Sequence, residues 1–173
     1  ERLHERRASF YRAPDHGGRV CLVLGAGNIN SIPPTDVATK LFNEGKVCVL
    51  KVNPVNAYMG PILEDAFSDA IAKGFLAVVY GGAEEGAYLV GHPGVDEVHV
   101  TGSVVTHDAI VWGPPGPERA ARIARGTPLL RKELTSELER APTTRSVRPS
   151  LFMSAGKRAY SPLPPPSKKA GAP

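Results

Sequence analysis

Apolar and polar positions alternate in blocks from about residue 19 onward. Short, mostly apolar runs bounded by turn residues are typical of strands buried on both faces of a parallel sheet. Such runs predict strands at residues 19–24, 46–52, 75–80 and 97–102, and residues 129–138 supply one more.

The segments between these runs carry apolar residues at helical spacing. They predict helices at residues 35–45, 57–73, 83–92 and from 103 to about 111, with a short basic helix in an insertion at 113–127. The inward faces of the first two would hold Val37, Leu41 and Phe42, and Ile62, Leu63, Phe67 and Ile71. Successive β–α units predict an α/β fold, a Rossmann-like and mostly parallel sheet with helices on both faces.

The chain of 173 residues divides into three parts by composition. Residues 1–18 predict a helical or irregular segment, residues 19–138 one α/β domain, and residues 139–173 a disordered tail rich in Pro, Ser and basic residues. The scattered apolar side chains of the tail cannot offset the entropy of ordering it. A truncated or shifted reading frame would also place unrelated sequence after a folded domain, which translation of the other frames would test.

The net charge of +4 comes from the tail. Residues 1–138 carry 14 Lys/Arg and 16 Asp/Glu, whereas residues 139–173 carry seven Lys/Arg and one acidic residue. Nucleic-acid binding by the folded part is therefore not expected.

Several absences favour a cytoplasmic protein without membrane association. No apolar run approaches membrane-spanning length, and the N-terminus has no hydrophobic signal core. Both cysteines, Cys21 and Cys48, lie inside predicted strands, which is typical of buried, reduced thiols. The histidines have no metal-ligand spacing, so no metal site is expected.

Glycine and polar residues follow each of the first four predicted strands. The carboxyl ends of parallel strands meet at one edge of the sheet, where open α/β folds bind ligands. Turn chemistry alone would explain any one cluster, but four at one edge favour a ligand site. The clusters are Gly25, Gly27 and Asn28; Lys51, Asn53 and Asn56; Gly81, Gly82 and Gly86; and Thr101, Gly102 and Ser103.

The first two clusters depart from the common dinucleotide-binding pattern. Gly25 and Gly27 fill two positions of the three-glycine fingerprint, but Asn30 stands at the third. Lys51 stands where an acidic residue usually accepts from ribose hydroxyls. An ammonium there would donate to ribose oxygens or meet a 2′-phosphate, unless Lys51 simply extends into solvent.

The order GAGN, K-x-N-P, GGxxxG, HPxVDxVxxTGS and TSEL resembles the cofactor-binding half of the aldehyde dehydrogenase superfamily. The resemblance covers residues 19 to about 138, apart from the insertion, and is strongest over residues 82–103. It implies a Rossmann-like domain that binds NAD or NADP without relying on the three-glycine fingerprint.

The resemblance also implies roles for individual residues. Lys51 matches the lysine that contacts the adenosine ribose, and Ser103 matches the serine that holds the pyrophosphate. Gly82 and Gly86 match glycines on the adenine side. The remaining cofactor-binding positions are Gly102, which allows close approach, Gly27 and Asn53. Two residues match catalytic positions: Asn28, an amide of the oxyanion hole, and Glu137, the general base toward the deacylating water.

Several positions depart from the family pattern. Ala26 and Gly27 replace a Pro–Trp pair, and Pro54 replaces the acidic residue expected three positions after the lysine. Glu139–Arg140 replaces two glycines. The family's nucleophilic cysteine lies beyond the glutamate, and no cysteine follows Cys48 in this chain. A thiolate must attack the aldehyde before hydride can leave, so this chain alone is expected to be inactive.

These features predict a fragment of an aldehyde-dehydrogenase-like oxidoreductase that binds a nicotinamide dinucleotide and lacks the nucleophile. Complete relatives would oxidise an aldehyde, or reduce an acyl group, through a cysteine thioester, and could form oligomers. The alternative is a non-catalytic, degenerate nucleotide-binding module whose basic tail binds nucleic acid or an acidic partner. Only the alternative predicts salt-dependent association that is lost on deletion of residues 141–173.

Overall fold

Five parallel strands form the centre of the computed structural model, which describes residues 8–12, 16–130 and 132–139. They are Val20–Leu24 (β1), Val47–Lys51 (β2), Leu76–Val79 (β3), Glu97–Ser103 (β4) and Glu133–Glu139 (β5). Their order is β3-β2-β1-β4-β5, and each neighbouring pair is parallel. The order reverses between β1 and β4, which creates the switch point where such sheets bind ligands. The predicted Rossmann-like α/β fold is confirmed.

Helices connect these strands. They are Ile32–Ala38 (α1), Gly60–Ala66 (α2), Ser68–Ala72 (α3), Ala83–Gly91 (α4), Val104–Trp112 (α5) and Pro117–Arg125 (α6). A π-helical turn over Thr39–Asn43 extends α1, and 3-10 turns occupy Ser9–Arg12 and Pro54–Met59. Among all these described helices, none has both the length and the apolar composition needed to cross a membrane.

The predicted terminal segments lie largely outside the described residues. Of the N-terminal segment, residues 8–12 and 16–18 are described, and Ser9–Arg12 form a single turn. Of the tail predicted at residues 139–173, only Glu139 is described, as the last residue of β5.

The two faces of the sheet are buried by different helices. On one face, Cys21 and Val23 pack with Val37 of α1 and Leu63 of α2. On the other face, Leu22 and Val98 pack near Leu89 and Val90 of α4. Because side chains alternate along a strand, the single β1 strand supplies core residues to both layers.

The helix predicted at residues 57–73 is broken into shorter pieces. Phe67, with φ −107° and ψ 20°, separates α2 from α3. Leu63, Phe67 and Ile71 pack against the core as predicted, but Ile62 is 57% exposed. Phe42, predicted to face inward, is also exposed, because the π-helical turn changes the angular spacing after α1.

A buried ionic cluster lies on the α1 face of β4. The Glu97 side chain is fully buried and accepts from the Lys40 ammonium at 2.8 Å and from the Lys46 ammonium. Burial alone would raise the pKa of Glu97, but these hydrogen bonds outweigh it and lower the pKa to about 2. Glu44 pairs with both lysines. The cluster is therefore internally paired and serves the fold.

Candidate nucleotide-binding site

A cavity of about 780 Å³ lies between α4 and α5, at the carboxyl ends of β1 and β2. This volume is within the range of about 300–1,000 Å³ that is typical of small-molecule sites. Strand ends, both helices and the segment before β5 form its walls. The lining residues are Leu24, Gly25, Lys51, Asn53, Gly82, Ala83, Gly86, Ala87, Val90, Gly91, Thr106, Ala109, Ile110, Pro114, Leu129, Leu130 and Lys132.

Lys51, the last residue of β2, lines this cavity and is mostly buried. The residue is only 7% exposed, so most of its side chain is packed at the cavity wall. Within the described part of the chain, its ammonium makes no hydrogen bond or ion pair. Burial lowers the pKa of Lys51, and the nearby Glu85 carboxylate partly opposes that shift. The ammonium is thus available to a ligand that offers oxygen acceptors.

Small residues form the α4 wall of the cavity. Gly82 precedes the helix, and Gly86 lies one turn along it. A Cβ added at Gly86 would meet nothing within 4 Å, so a side chain there would project into open space at the cavity wall. The neighbouring Ala83 and Ala87 also line the cavity. This wall is open enough to receive a planar, mostly apolar group.

The loop after β1 is held tightly against the end of β2. The Gly25 backbone amide donates to the Lys51 carbonyl at 2.9 Å, and the side-chain amide of Asn56 donates to the Ala26 carbonyl at 3.1 Å. A Cβ at Gly27 would lie 2.9 Å from the Asn53 side chain. Asn53 lines the cavity whereas Gly27 does not, so the glycine makes room for Asn53. A direct contact of Gly27 with a cofactor stays a prediction.

Ser103 and Gly102 stand at the start of α5, beside the cavity but outside its lining. The Ser103 hydroxyl accepts from the Thr106 amide at 3.3 Å and caps the helix. Thr106 itself lines the cavity. A Cβ at Gly102 would meet nothing within 4 Å, so packing within the protein does not require a glycine there. A direct contact of Gly102 or Ser103 with a cofactor stays a prediction.

The two predicted catalytic residues are not part of the cavity wall. Asn28 is exposed in the loop between β1 and α1. The backbone of Glu137 pairs with Thr101 in the sheet, near the carboxyl end of β4, and its side chain lies outside the described structure. The catalytic roles of Asn28 and Glu137 stay predictions.

Neither cysteine is suited to act as a nucleophile. Cys21 and Cys48 are free thiols with no exposed surface. Burial is the main cause that raises the pKa of Cys21, and it raises the pKa of Cys48 to about 12. A thiol in such surroundings is inert, because the thiolate is the reactive form. Among the described residues, no group of three or more His, Cys, Asp or Glu side chains could hold a metal ion.

Sequence reasoning missed the wall formed by α5 and the segment that follows it. Thr106, Ala109 and Ile110 recur at helical spacing in a segment for which only a helix was predicted, without a cavity-facing side. Leu129 and Lys132 reach the cavity from the far end of the insertion. Small residues recur at helical spacing on the cavity side of both α4 and α5. This pattern in the sequence could have indicated that the two helices line a cavity.

The chain has sequence relatives among aldehyde dehydrogenases, although no family model matches it. It is 32% identical over 151 residues to N-succinylglutamate 5-semialdehyde dehydrogenase of Novosphingobium aromaticivorans, a match that covers 85% of this chain and 31% of the relative. It is 34% identical over 88 residues to 4-trimethylaminobutyraldehyde dehydrogenase of Oryzias latipes, covering 50% of this chain and 17% of that protein. The chain thus spans less than a third of either relative.

Solved structures share the fold. A NAD-dependent benzaldehyde dehydrogenase from Corynebacterium glutamicum superposes with a TM-score of 0.51 at 24% identity, over 70% of this chain and 24% of that protein. The bifunctional proline utilization A protein gives a TM-score of 0.51 at 22% identity, over 69% of this chain and 11% of that protein. The resemblance that the motifs indicated is therefore confirmed: this chain is related to the aldehyde dehydrogenase superfamily.

Proposed function

We propose that this chain binds the adenosine part of NAD or NADP in the cavity between α4 and α5. The observation that carries the proposal is the ammonium of Lys51, which lines the cavity on a mostly buried side chain and has no hydrogen-bonding partner in the described structure. Because no described side chain bonds to this ammonium, it can donate to oxygen acceptors that enter the cavity. A ribose supplies hydroxyl oxygens of this kind.

The walls of the cavity suit the rest of an adenosine. The small residues Gly82, Gly86 and Ala87 on one side, and Ala109 and Ile110 on the other, leave a slot for a purine ring between the two helices. An apolar slot with a few fixed polar groups is typical of such sites.

The start of α5 would receive the pyrophosphate. The first backbone amides of α5 and the Ser103 hydroxyl lie at the N-terminus of the helix. This is the helix end that favours anions. When bound, the nicotinamide ring of the cofactor exchanges a hydride with the substrate. The residues of this chain hold and orient the dinucleotide, and Gly102 leaves space for its approach.

We further propose that this chain supplies cofactor binding without the covalent chemistry of an aldehyde dehydrogenase. The two sequence relatives described above are named as aldehyde dehydrogenases, which supports an oxidoreductase of that kind. The thiols of this chain, however, are buried in β1 and β2, away from the cavity lining. Free thiols also support a cytoplasmic location. Aldehyde oxidation would therefore require a cysteine from outside this sequence.

Calorimetric titration with NAD+ and with NADP+ tests the binding proposal. Saturable binding is expected for the wild type, and Lys51→Ala should weaken it by about tenfold or more, the value of a lost hydrogen bond to a charged group. Lys73→Ala is the matched control, because Lys73 is an exposed lysine outside the cavity. Absence of saturable binding, or equal affinities for the two variants, would refute the proposal.

A further inference from the structure

We propose that Glu85 selects the cofactor. Its carboxylate, held beside Lys51 at the start of α4, favours the free ribose 2′-hydroxyl of NAD and disfavours the 2′-phosphate of NADP. The inference rests on the proposed function, since it assigns the cofactor that the same cavity prefers.

The turn between β3 and α4 fixes the position of the Glu85 side chain. The Gly82 amide donates to Glu85 Oε2 at 2.6 Å, so the side chain folds back over the start of its own helix. Gly81 has φ +133°, and a Cβ there would lie 2.6 Å from Glu85 Cγ. The glycine therefore makes room for the folded side chain. Since Gly82 lines the cavity, the carboxylate is held next to the cavity wall.

Lys51 and Glu85 interact across a gap. Each lies within the electrostatic field of the other, yet no ion pair forms between them. Hydrogen bonds from backbone amides are the main cause that lowers the pKa of Glu85, and Lys51 adds to the effect, so the carboxylate is ionised at neutral pH. Neither charge is neutralised by direct contact with the other, so each can still bond to a ligand.

A ribose diol fits this pair better than a phosphate does. A hydroxyl accepts from the ammonium and donates to the carboxylate, so it satisfies both residues. A 2′-phosphate has no proton to offer a carboxylate when fully ionised, and its negative charge is repelled by Glu85. Pro54 leaves no acid at the third position after Lys51, and the lining of the cavity includes no Asp or Glu. Glu85 is the carboxylate that α4 supplies instead.

Paired titrations of the full chain with NAD+ and NADP+ test the assignment. The wild type should bind NAD+ more tightly than NADP+. Glu85→Gln should shift the ratio of the two affinities toward NADP+ by about tenfold, because it removes the repelling charge. A glutamine oxygen still accepts from the Gly82 amide, which keeps the helix start intact. Glu84→Gln is the matched control, since Glu84 is an exposed acid in the same helical turn that has the same charge but no such contact.

The outcomes separate the two proposals. If the wild type binds neither dinucleotide, the proposed function fails and this inference fails with it. If the wild type binds both and the two variants change the ratio equally, the proposed function stands and the role of Glu85 is overturned. A shift confined to Glu85→Gln, with thermal unfolding of both variants alike, supports the role.

Discussion

Two buried lysines, Lys40 and Lys51, differ in what surrounds their ammonium groups. Lys40 is 3% exposed and pairs with Glu97 and Glu44. Lys51 is 7% exposed and pairs with no described residue. Burial alone would lower the pKa of both lysines, but only for Lys40 do hydrogen bonds within the protein outweigh it. The contrast places Lys40 in the stability of the fold and supports the proposal that Lys51 binds a ligand.

Removal of the Glu97 carboxylate should strongly destabilise the fold. Glu97→Gln leaves Lys40 and Lys46 without their buried partner, and the free energy of unfolding should fall by about 3 kcal/mol. Glu133→Gln is the control, because the ion pair of Glu133 with Arg19 is half exposed and is expected to contribute less than about 1 kcal/mol. Urea unfolding at neutral pH measures both. Equal losses for the two variants would contradict a stabilising role for the buried cluster.

The same cluster predicts how stability depends on pH. Folding lowers the pKa of Glu97 from its ordinary 4.5 to about 2, so the folded state holds fewer protons on this group. Its contribution is therefore complete above the unfolded value and is lost as the pH falls from about 4.5 to about 2. Urea unfolding over this window should show the stability of the wild type converging on that of Glu97→Gln. A constant difference down to the acid end would contradict this linkage.

At the scale of elements, two glycines end helical segments in the same way but in different surroundings. Gly45 has φ +63° before β2, and Gly74 has φ +73° before β3. Both adopt the left-handed conformation that L side chains disfavour. A Cβ at Gly74 would meet nothing within 4 Å, whereas one at Gly45 would overlap the Phe10 ring. Gly45 therefore serves both the backbone turn and the packing of the N-terminal segment.

Alanine substitutions should separate these two effects. Gly74→Ala should cost about 1 kcal/mol, from backbone conformation alone. Gly45→Ala should cost at least about 2 kcal/mol, because overpacking adds to the same backbone term. Adding Phe10→Ala to Gly45→Ala should recover most of the excess. Thermal or urea unfolding of the three variants measures this, and equal costs for the two single variants would show that Phe10 does not pack on Gly45.

The sequence patterns predicted the strands better than the helices. Each strand is set by a short apolar run that the sheet then buries, so β1 to β4 lie within a residue or two of the predicted ranges. Helical spacing, by contrast, does not reveal where a helix breaks. The break at Phe67 and the π-helical turn after Ala38 depend on packing against the sheet, and they exposed Ile62 and Phe42.

At the scale of the whole molecule, the strand order explains which site residues were predictable. Lys51 ends β2 and Asn53 follows it, and Gly82 follows β3. Because ligands bind at the carboxyl edge of such sheets, the sequence alone predicted that these residues share one site. The α5 wall and Leu129 join the cavity only through the crossover that places β4 next to β1. Glu85 was overlooked because an exposed acid in the first turn of a helix is common, since it interacts favourably with the helix dipole. Only the structure shows that its side chain folds back onto Gly82, which lines the cavity.

Neither cysteine lines the cavity proposed to bind the cofactor. The expectation that this chain has no dehydrogenase activity of its own can therefore be tested through its thiols. Cys21 and Cys48 lie side by side as the second residues of β1 and β2, and both are fully buried. Since burial raises the pKa of Cys48 to about 12 and raises that of Cys21 as well, neither thiolate is populated near neutral pH. The native chain should therefore resist the thiol reagent DTNB at about pH 8, whereas a normal exposed thiol, with a pKa of about 8.5, reacts readily.

Both thiols should react once urea unfolds the chain, which serves as the internal control for reagent and protein. The native chain, supplied with NAD+ or NADP+ and an aldehyde, should form no reduced cofactor, because no described thiolate is positioned to attack the carbonyl carbon. A burst of reduced cofactor equal to the protein concentration, abolished by prior labelling of a native thiol, would contradict this expectation. It would mean that the sheet opens far enough to bring a cysteine to the bound cofactor, and that binding and covalent chemistry are joined in this chain after all.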